Sequence, residues 1–439
     1  MKIILVNKFH YIKGGSETYY FSLAEALRER GHEVHFFSMQ DERNRPCEDA
    51  DLFVSHREYN GKLSIREQAS SAVNLIWSRE ARDKFQKLCE RVHPDIIHLN
   101  LVHRQITLSI LDAPYVKQRR VPVVYTAHEY VALCPCYTML DGRGEVCEDC
   151  LHGSYAGCIK KRCVKGSLAK SVLAVAEAEF IRNRRYYERI DSIIAPSRFL
   201  AEKLNEGGFS SEKVVALQNF LPDSVVQEID SVEPLREKDP YLLYFGRLSK
   251  EKGVDVLLKA YARYAETVDA PMRLKIVGTG PLESALKALA ERLDVSGHVD
   301  FVGFKSGLEL RSIVKGATFS VIPSVWYENM PYSGLESLAS GTPVIGSNIG
   351  GIPEFIEDNV TGYLAVPGDV DSLVSALLRA GDLDKQELVL MDEACHLYVG
   401  SNCGERDYCN SIIDLYMQCL KNRLNASNEG CNAAACNDR

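Results

Sequence analysis

Residues 1–31 read MKIILVNKFHYIKGGSETYYFSLAEALRERG, and this stretch decides the fold. Lys2 to Val6 is an apolar burst of strand length, short enough and bare enough of charge to be a buried strand. A loop through Lys13-Gly14-Gly15 follows. A helix is then predicted from Ser16 to Arg30, closed by Gly31 in the left-handed position after its last turn. Glu33 to Ser38 reads as the next strand. Strand, loop, helix and strand within 40 residues make the unit from which parallel sheets are built.

Working outward, Asp95–Leu99, Pro122–Thr126, Ser192–Ala195 and Val214–Leu217 extend the sheet. Residues 222–240 are acidic, carry Pro234 and Pro240 and show no clean period, so they read as a linker. Alternation restarts with Tyr241–Phe245, Arg273–Val277, Val299–Val302, Phe319–Ile322 and Pro343–Ile345, with helices such as Val254–Ala265 and Pro281–Leu293 between them. No repeat of solenoid length appears. The fold class is therefore α/β: two Rossmann-like doubly wound domains, 1–221 and 241–400, facing across a cleft. A last helix in 401–423 carries Tyr408, Ile412, Tyr416 and Cys419 on one stripe and is expected to pack back on the N-terminal domain. Residues 424–439 are expected to be disordered.

The chain has 439 residues, 46% hydrophobic and 26% charged, with a formal net charge of −8. That balance fits globular domains and argues against a nucleic-acid binder. No run of 18 apolar residues occurs, and the first apolar stretch is too short for a signal peptide. The expectation is a cytoplasmic protein whose 14 cysteines are thiols or metal ligands, because the cytosol is reducing.

Three stretches could carry chemistry. Gly14 and Gly15 let backbone approach a ligand, while the helix after them aims free N–H groups at it, an arrangement suited to phosphate. Taken alone the pair is equally a tight turn, and it lacks the spacing of a dinucleotide fingerprint. Gly246-Arg247-Leu248-Ser249-Lys250-Glu251-Lys252-Gly253 sets two cations, Arg247 and Lys252, after a strand. Glu328 and Glu336 stand eight positions apart, the first in a loop, the second inside the next helix. A carboxylate grips neighbouring sugar hydroxyls, and N–H groups near Tyr332 and Ser333 would hold phosphate oxygens. Asp49-Ala50-Asp51, Asp369-Val370-Asp371 and Asp382-Leu383-Asp384 match a metal-binding D-x-D pattern but lack a donor-site context.

In this order, and with Thr126-Ala127-His128-Glu129, Pro196-Ser197-Arg198-Phe199 and Gly278-Thr279-Gly280-Pro281, the motifs resemble those of the family-four retaining glycosyltransferases, which have the GT-B fold. The resemblance runs from Met1 to about Leu420. It implies that Gly14 and Gly15 approach the donor phosphate, and that Arg247 and Lys252 neutralise the leaving pyrophosphate beside Gly246. It implies that Glu328 holds donor-sugar hydroxyls, Glu336 the ribose, and Gly303 and Phe304 the edge of the base, with His128 facing donor sugar and acceptor. The implied activity is transfer from a UDP- or GDP-linked sugar to a glycan or lipid-linked acceptor, in cell-surface polysaccharide or glycolipid synthesis and without a metal in the chemistry. The alternatives are an epimerase of the same fold and an inactive donor-binding subunit.

Residues 130–165 form an insert with Cys134, Cys136, Cys147, Cys150, Cys158 and Cys163. The Cys147-Glu148-Asp149-Cys150 spacing suits one tetrahedral ion. A structural zinc on Cys134, Cys147, Cys150 and Cys163 is the expectation, against free thiols or a set that includes Cys136 or Cys158. The following segment, from Lys160 to Arg189, is strongly basic and would suit an anionic membrane surface or a lipid-diphosphate acceptor.

Overall fold

The computed structural model describes residues 1–56, 73–235 and 240–437, with side chains through Asn425. Two parallel six-stranded sheets carry the fold. The first holds β1 (Lys2–Val6), β2 (Glu33–Phe37), β3 (Ile96–Leu99), β4 (Val123–Thr126), β5 (Ser192–Ala195) and β6 (Val214–Ala216), in the order β2-β1-β3-β4-β5-β6. The second holds β7 (Tyr241–Phe245), β8 (Arg273–Val277), β9 (Val299–Gly303), β10 (Phe319–Ile322), β11 (Val344–Ser347) and β12 (Gly362–Ala365), in the order β12-β11-β10-β7-β8-β9. Helices cover both faces, so β3, β4, β5, β10 and β11 are buried at every residue, and their sequences are mostly apolar with one polar side chain each.

Strand order reverses between β1 and β3 in the first lobe and between β7 and β10 in the second. The loops that leave neighbouring strands at such a point diverge to opposite faces and open a crevice at their carboxyl ends. The loops after β1, β7 and β10 are the ones that carry Gly14–Gly15, Arg247–Lys252 and Glu328.

Three elements differ from the sequence expectation. A helix, Asp223–Ser231, occupies the expected linker. Its apolar residues Val225, Val226 and Ile229 keep helical spacing under the acidic composition, and Lys315 Nζ donates to the Ile229 and Val232 carbonyls at 3.0 Å. Residues 236–239 lie outside the described residues. Strand β12 is added, a Tyr363-Leu364-Ala365 run too short to stand out as a period. The final helix runs Glu405–Asn437, through the expected disordered tail, where an alanine-rich stretch without proline keeps helical propensity.

That helix lies on the first lobe. Tyr408, Ile412, Tyr416 and Cys419 join the core formed by β1 and helix Gly15–Glu29. A polar chain stitches it in: His98 meets Tyr416 Oη through Nδ1 at 2.5 Å and Thr126 Oγ1 through Nε2 at 2.7 Å, and the Tyr408 hydroxyl donates to Tyr19 Oη at 2.8 Å. The buried Cys395, Cys403 and Cys409 act as small apolar side chains in these cores.

Candidate active site

The crevice is lined from both lobes, and two glycines mark close approaches, one between the lobes and one within the second. A Cβ on Gly15 would sit 2.9 Å from the Tyr332 ring, so the first-lobe loop meets the start of helix Tyr332–Ala339 with no room for a side chain. Gly253, at φ +66°, would place a Cβ 1.9 Å from the Pro323 carbonyl, which packs the loop after β7 against the loop after β10.

That packing puts Lys252 beside Glu328. Lys252 Nζ donates to Glu328 Oε1 at 2.6 Å, and Ser324 Oγ donates to the same oxygen at 2.7 Å. Glu328 is buried. Burial works to raise its carboxyl, but the Lys252 ammonium outweighs this and holds it below the usual carboxylate range. Arg247 is exposed at the end of β7, its carbonyl accepting from the Tyr244 hydroxyl at 2.8 Å. Its charge reaches the first lobe: the Lys13 ammonium is pushed down by burial first, then by Lys8, Arg43 and Arg247. Lys13 and Arg247 thus lie within electrostatic reach across the lobes, an arrangement that an anion would relieve. Gly14 begins helix Gly15–Glu29 in extended backbone, its carbonyl accepting from Glu17 and Thr18.

His128 follows β4. Its Nε2–H donates to Asn100 Oδ1 at 2.9 Å, and its ring meets Tyr19 edge-on at 4.9 Å. Burial lowers the imidazole to about 3, so it is neutral at physiological pH. Asn329 Nδ2 donates to the His128 carbonyl at 2.9 Å across the lobes, one residue from Glu328. Glu336 lies 2.9 Å from Arg311 Nη1, its carboxyl raised by burial against the pull of that guanidinium. Tyr332 and Ser333 open the helix that carries Glu336. Gly246 and Gly303 close the carboxyl ends of β7 and β9, and Phe304 beyond them is 71% exposed. Sequence reading passed over Ser324, Asn100 and Arg311, though Ser324 stands only four positions before Glu328.

Among the described residues no group of three or more His, Cys, Asp or Glu side chains is arranged to hold a metal ion. A structural zinc on Cys134, Cys147, Cys150 and Cys163 stays a proposal. Cys134 Sγ lies 3.4 Å from Cys136 Sγ, and Cys147 Sγ accepts from Lys161 Nζ at 3.2 Å. The first D-x-D match is structural: Asp49 accepts from the Phe36 N–H, and Asp51 pairs with Arg91. Much of the basic run is neutralised, Arg182 by Glu179, Arg185 by Glu188, and Arg184 and Arg189 by Asp112. Among the described residues no helix is long and apolar enough to cross a membrane.

Comparison with known proteins accounts for both lobes. The family described as Glycosyltransferase Family 4 matches residues 13–224, and that described as Glycosyl transferases group 1 matches 225–392. The amylovoran biosynthesis glycosyltransferase AmsK of Erwinia amylovora is 30% identical over 266 residues, 56% of this chain and 64% of that protein. The alpha-monoglucosyldiacylglycerol synthase of Streptococcus pneumoniae is 25% identical over 412 residues, 89% of this chain and 81% of that protein. For several curated relatives the matched region is about half of their length. The solved structure of Anabaena Alr3699/HepE in complex with UDP and glucose has a TM-score of 0.66 at 17% identity, covering 95% of this chain and 100% of that one, a likeness of fold.

Proposed function

The chain belongs to the family-four glycosyltransferases, and from that premise we propose that it is a retaining enzyme that moves a sugar from a UDP- or GDP-linked donor to a hydroxyl of a glycan or lipid-linked acceptor. The observation that carries this reading is the 2.6 Å Lys252–Glu328 pair, which joins the loop of Arg247 to the loop after β10. The pair sets an ammonium suited to phosphate oxygens beside a carboxylate suited to sugar hydroxyls.

In this mechanism the bond from the anomeric carbon to the diphosphate oxygen breaks, and the electron pair leaves with the diphosphate. Arg247, Lys252 and the N–H groups at Tyr332 and Ser333 receive the developing charge from fixed positions. Glu328 and Glu336 orient sugar and ribose, Gly303 and Phe304 border the base, and neutral His128 faces the sugar from the first lobe. The acceptor oxygen then bonds to the anomeric carbon with retention, and its proton passes to the departing diphosphate oxygen.

Cell-surface polysaccharide or glycolipid synthesis is the setting supported by AmsK and the pneumococcal glycolipid synthase. An anionic membrane surface is the proposed resting place. Lys160, Arg162, Lys165 and Lys170 are exposed beside Leu168 and Val172, which are 50% and 46% exposed at the start of helix Leu168–Asn183. The direct test is a panel of UDP- and GDP-sugars, read by released nucleoside diphosphate in the presence of EDTA. Release from at least one donor, unchanged by the chelator, is expected. No release from any donor, with or without added divalent metal, would overturn the reading.

A further inference from the structure

The cysteine-rich insert reaches the other lobe at two points. Glu148, between Cys147 and Cys150, accepts from the Tyr327 hydroxyl at 2.7 Å. The same carboxylate is pinned within the first lobe by Lys203 Nζ at 2.9 Å. Tyr327 immediately precedes Glu328, and its ring lies 4.7 Å from that of Phe199 and 6.2 Å from that of Tyr130, both first-lobe residues. At the second point Lys250 Nζ donates to the Arg143 carbonyl, and the Lys250 stem lies against Gly144. Lys250 precedes Lys252 by two residues. Each of the two loops that present the Lys252–Glu328 pair is therefore held by the insert.

We infer that the cysteine-rich insert is an interlobe strut, with Glu148 and Tyr327 as positioning residues that hold the Glu328 loop where the donor is gripped. The contacts explain its build. A loop meant to reach across a crevice needs a firm base, and buried Cys134, Cys136, Cys150 and Cys158, with Met139 and Leu151, root it in the first-lobe core. From that base the polar turn at Glu148 faces outward to the partner lobe. A contact made only when the lobes are together favours the closed state by its own free energy, so its loss appears in donor affinity.

The inference rests on the glycosyltransferase reading for its consequence but not for its test. Glu148→Gln, Tyr327→Phe and the double variant are compared by amide hydrogen exchange over residues 324–330, and by calorimetric titration with UDP and with GDP. Each single variant is expected to accelerate exchange in that loop, with the double variant no faster than the singles, as for two ends of one contact. Nucleotide affinity should fall by about tenfold. In the donor assay, KM for the donor should rise while kcat stays within about twofold, a split that general loss of structure would not produce. Unchanged exchange in Tyr327→Phe, or additive effects in the double variant, would overturn the strut. Nucleotide that binds to no form of the protein, with loop exchange still accelerated, would instead overturn the donor reading and leave the strut standing.

Discussion

His98 shows how much one side chain can bind together. It sits in β3 with no exposure, yet joins Tyr416 of the last helix to Thr126 of the neighbouring strand. Burial holds its imidazole down to about 3, whereas the unfolded chain takes a proton near 6.5. Because the folded value is the lower one, the unfolded state binds more protons between these limits. His98's contribution is therefore complete above about pH 6.5 and is lost as the pH falls. Wild type should exceed His98→Gln in stability at pH 7.5, and the gap should narrow by about 1.4 kcal/mol per pH unit below 6.5. Urea unfolding at several pH values measures it; a gap that stays constant to pH 5 would show that His98 is not held neutral. The same scale shows what a sequence conveys. Lys252 and Glu328 lie 76 positions apart, and their motifs gave both residues without giving the 2.6 Å bond between them. Arg311 went unnoticed because nothing in a lone arginine on a helix shows that it faces Glu336.

At the scale of elements, strands were the most legible. A strand buried on both faces has little choice but an unbroken apolar run, so Lys2–Val6 and Tyr241–Phe245 announce themselves. The helix Asp223–Ser231 did not, because its three apolar residues are matched by three acids and flanked by prolines. The cysteine insert was legible as a feature but not as an arrangement: spacing shows which sulfurs can meet, and tertiary contacts decide which do. Helix Leu168–Asn183 carries its own prediction. Its first half has no acidic residue and leaves Leu168 and Val172 exposed among Lys165 and Lys170. Each lysine near an anionic surface contributes about 1 kcal/mol. The protein should float with phosphatidylserine vesicles in dilute salt and remain behind with phosphatidylcholine alone. Lys165→Glu with Lys170→Glu should abolish flotation while leaving thermal unfolding unchanged. Equal flotation of that variant would place the membrane contact elsewhere or nowhere.

At the scale of the whole molecule, two lobes with reversed strand order face each other through loops, and several bonds between them fall on the residues beside Glu328. Tyr327 meets Glu148, Asn329 meets His128, and the Met330 carbonyl accepts from Asn219 Nδ2 at 3.1 Å. Glu354 adds a cap, accepting from the Arg198 and Phe199 N–H groups of a first-lobe helix at 2.9 and 2.7 Å. The two-lobed plan was readable from alternation alone; this convergence was not, since each contact joins residues more than a hundred positions apart. It concentrates lobe closure on the place where a diphosphate would leave. The most direct test is the turnover of Lys252→Ala at saturating donor, read as nucleoside diphosphate released. The account predicts a fall in kcat of about 100-fold or more, because a fixed charge on the leaving group is lost, with the fold retained. Turnover within about threefold of wild type would contradict it, since the cation at Glu328 would then carry none of the charge of bond cleavage.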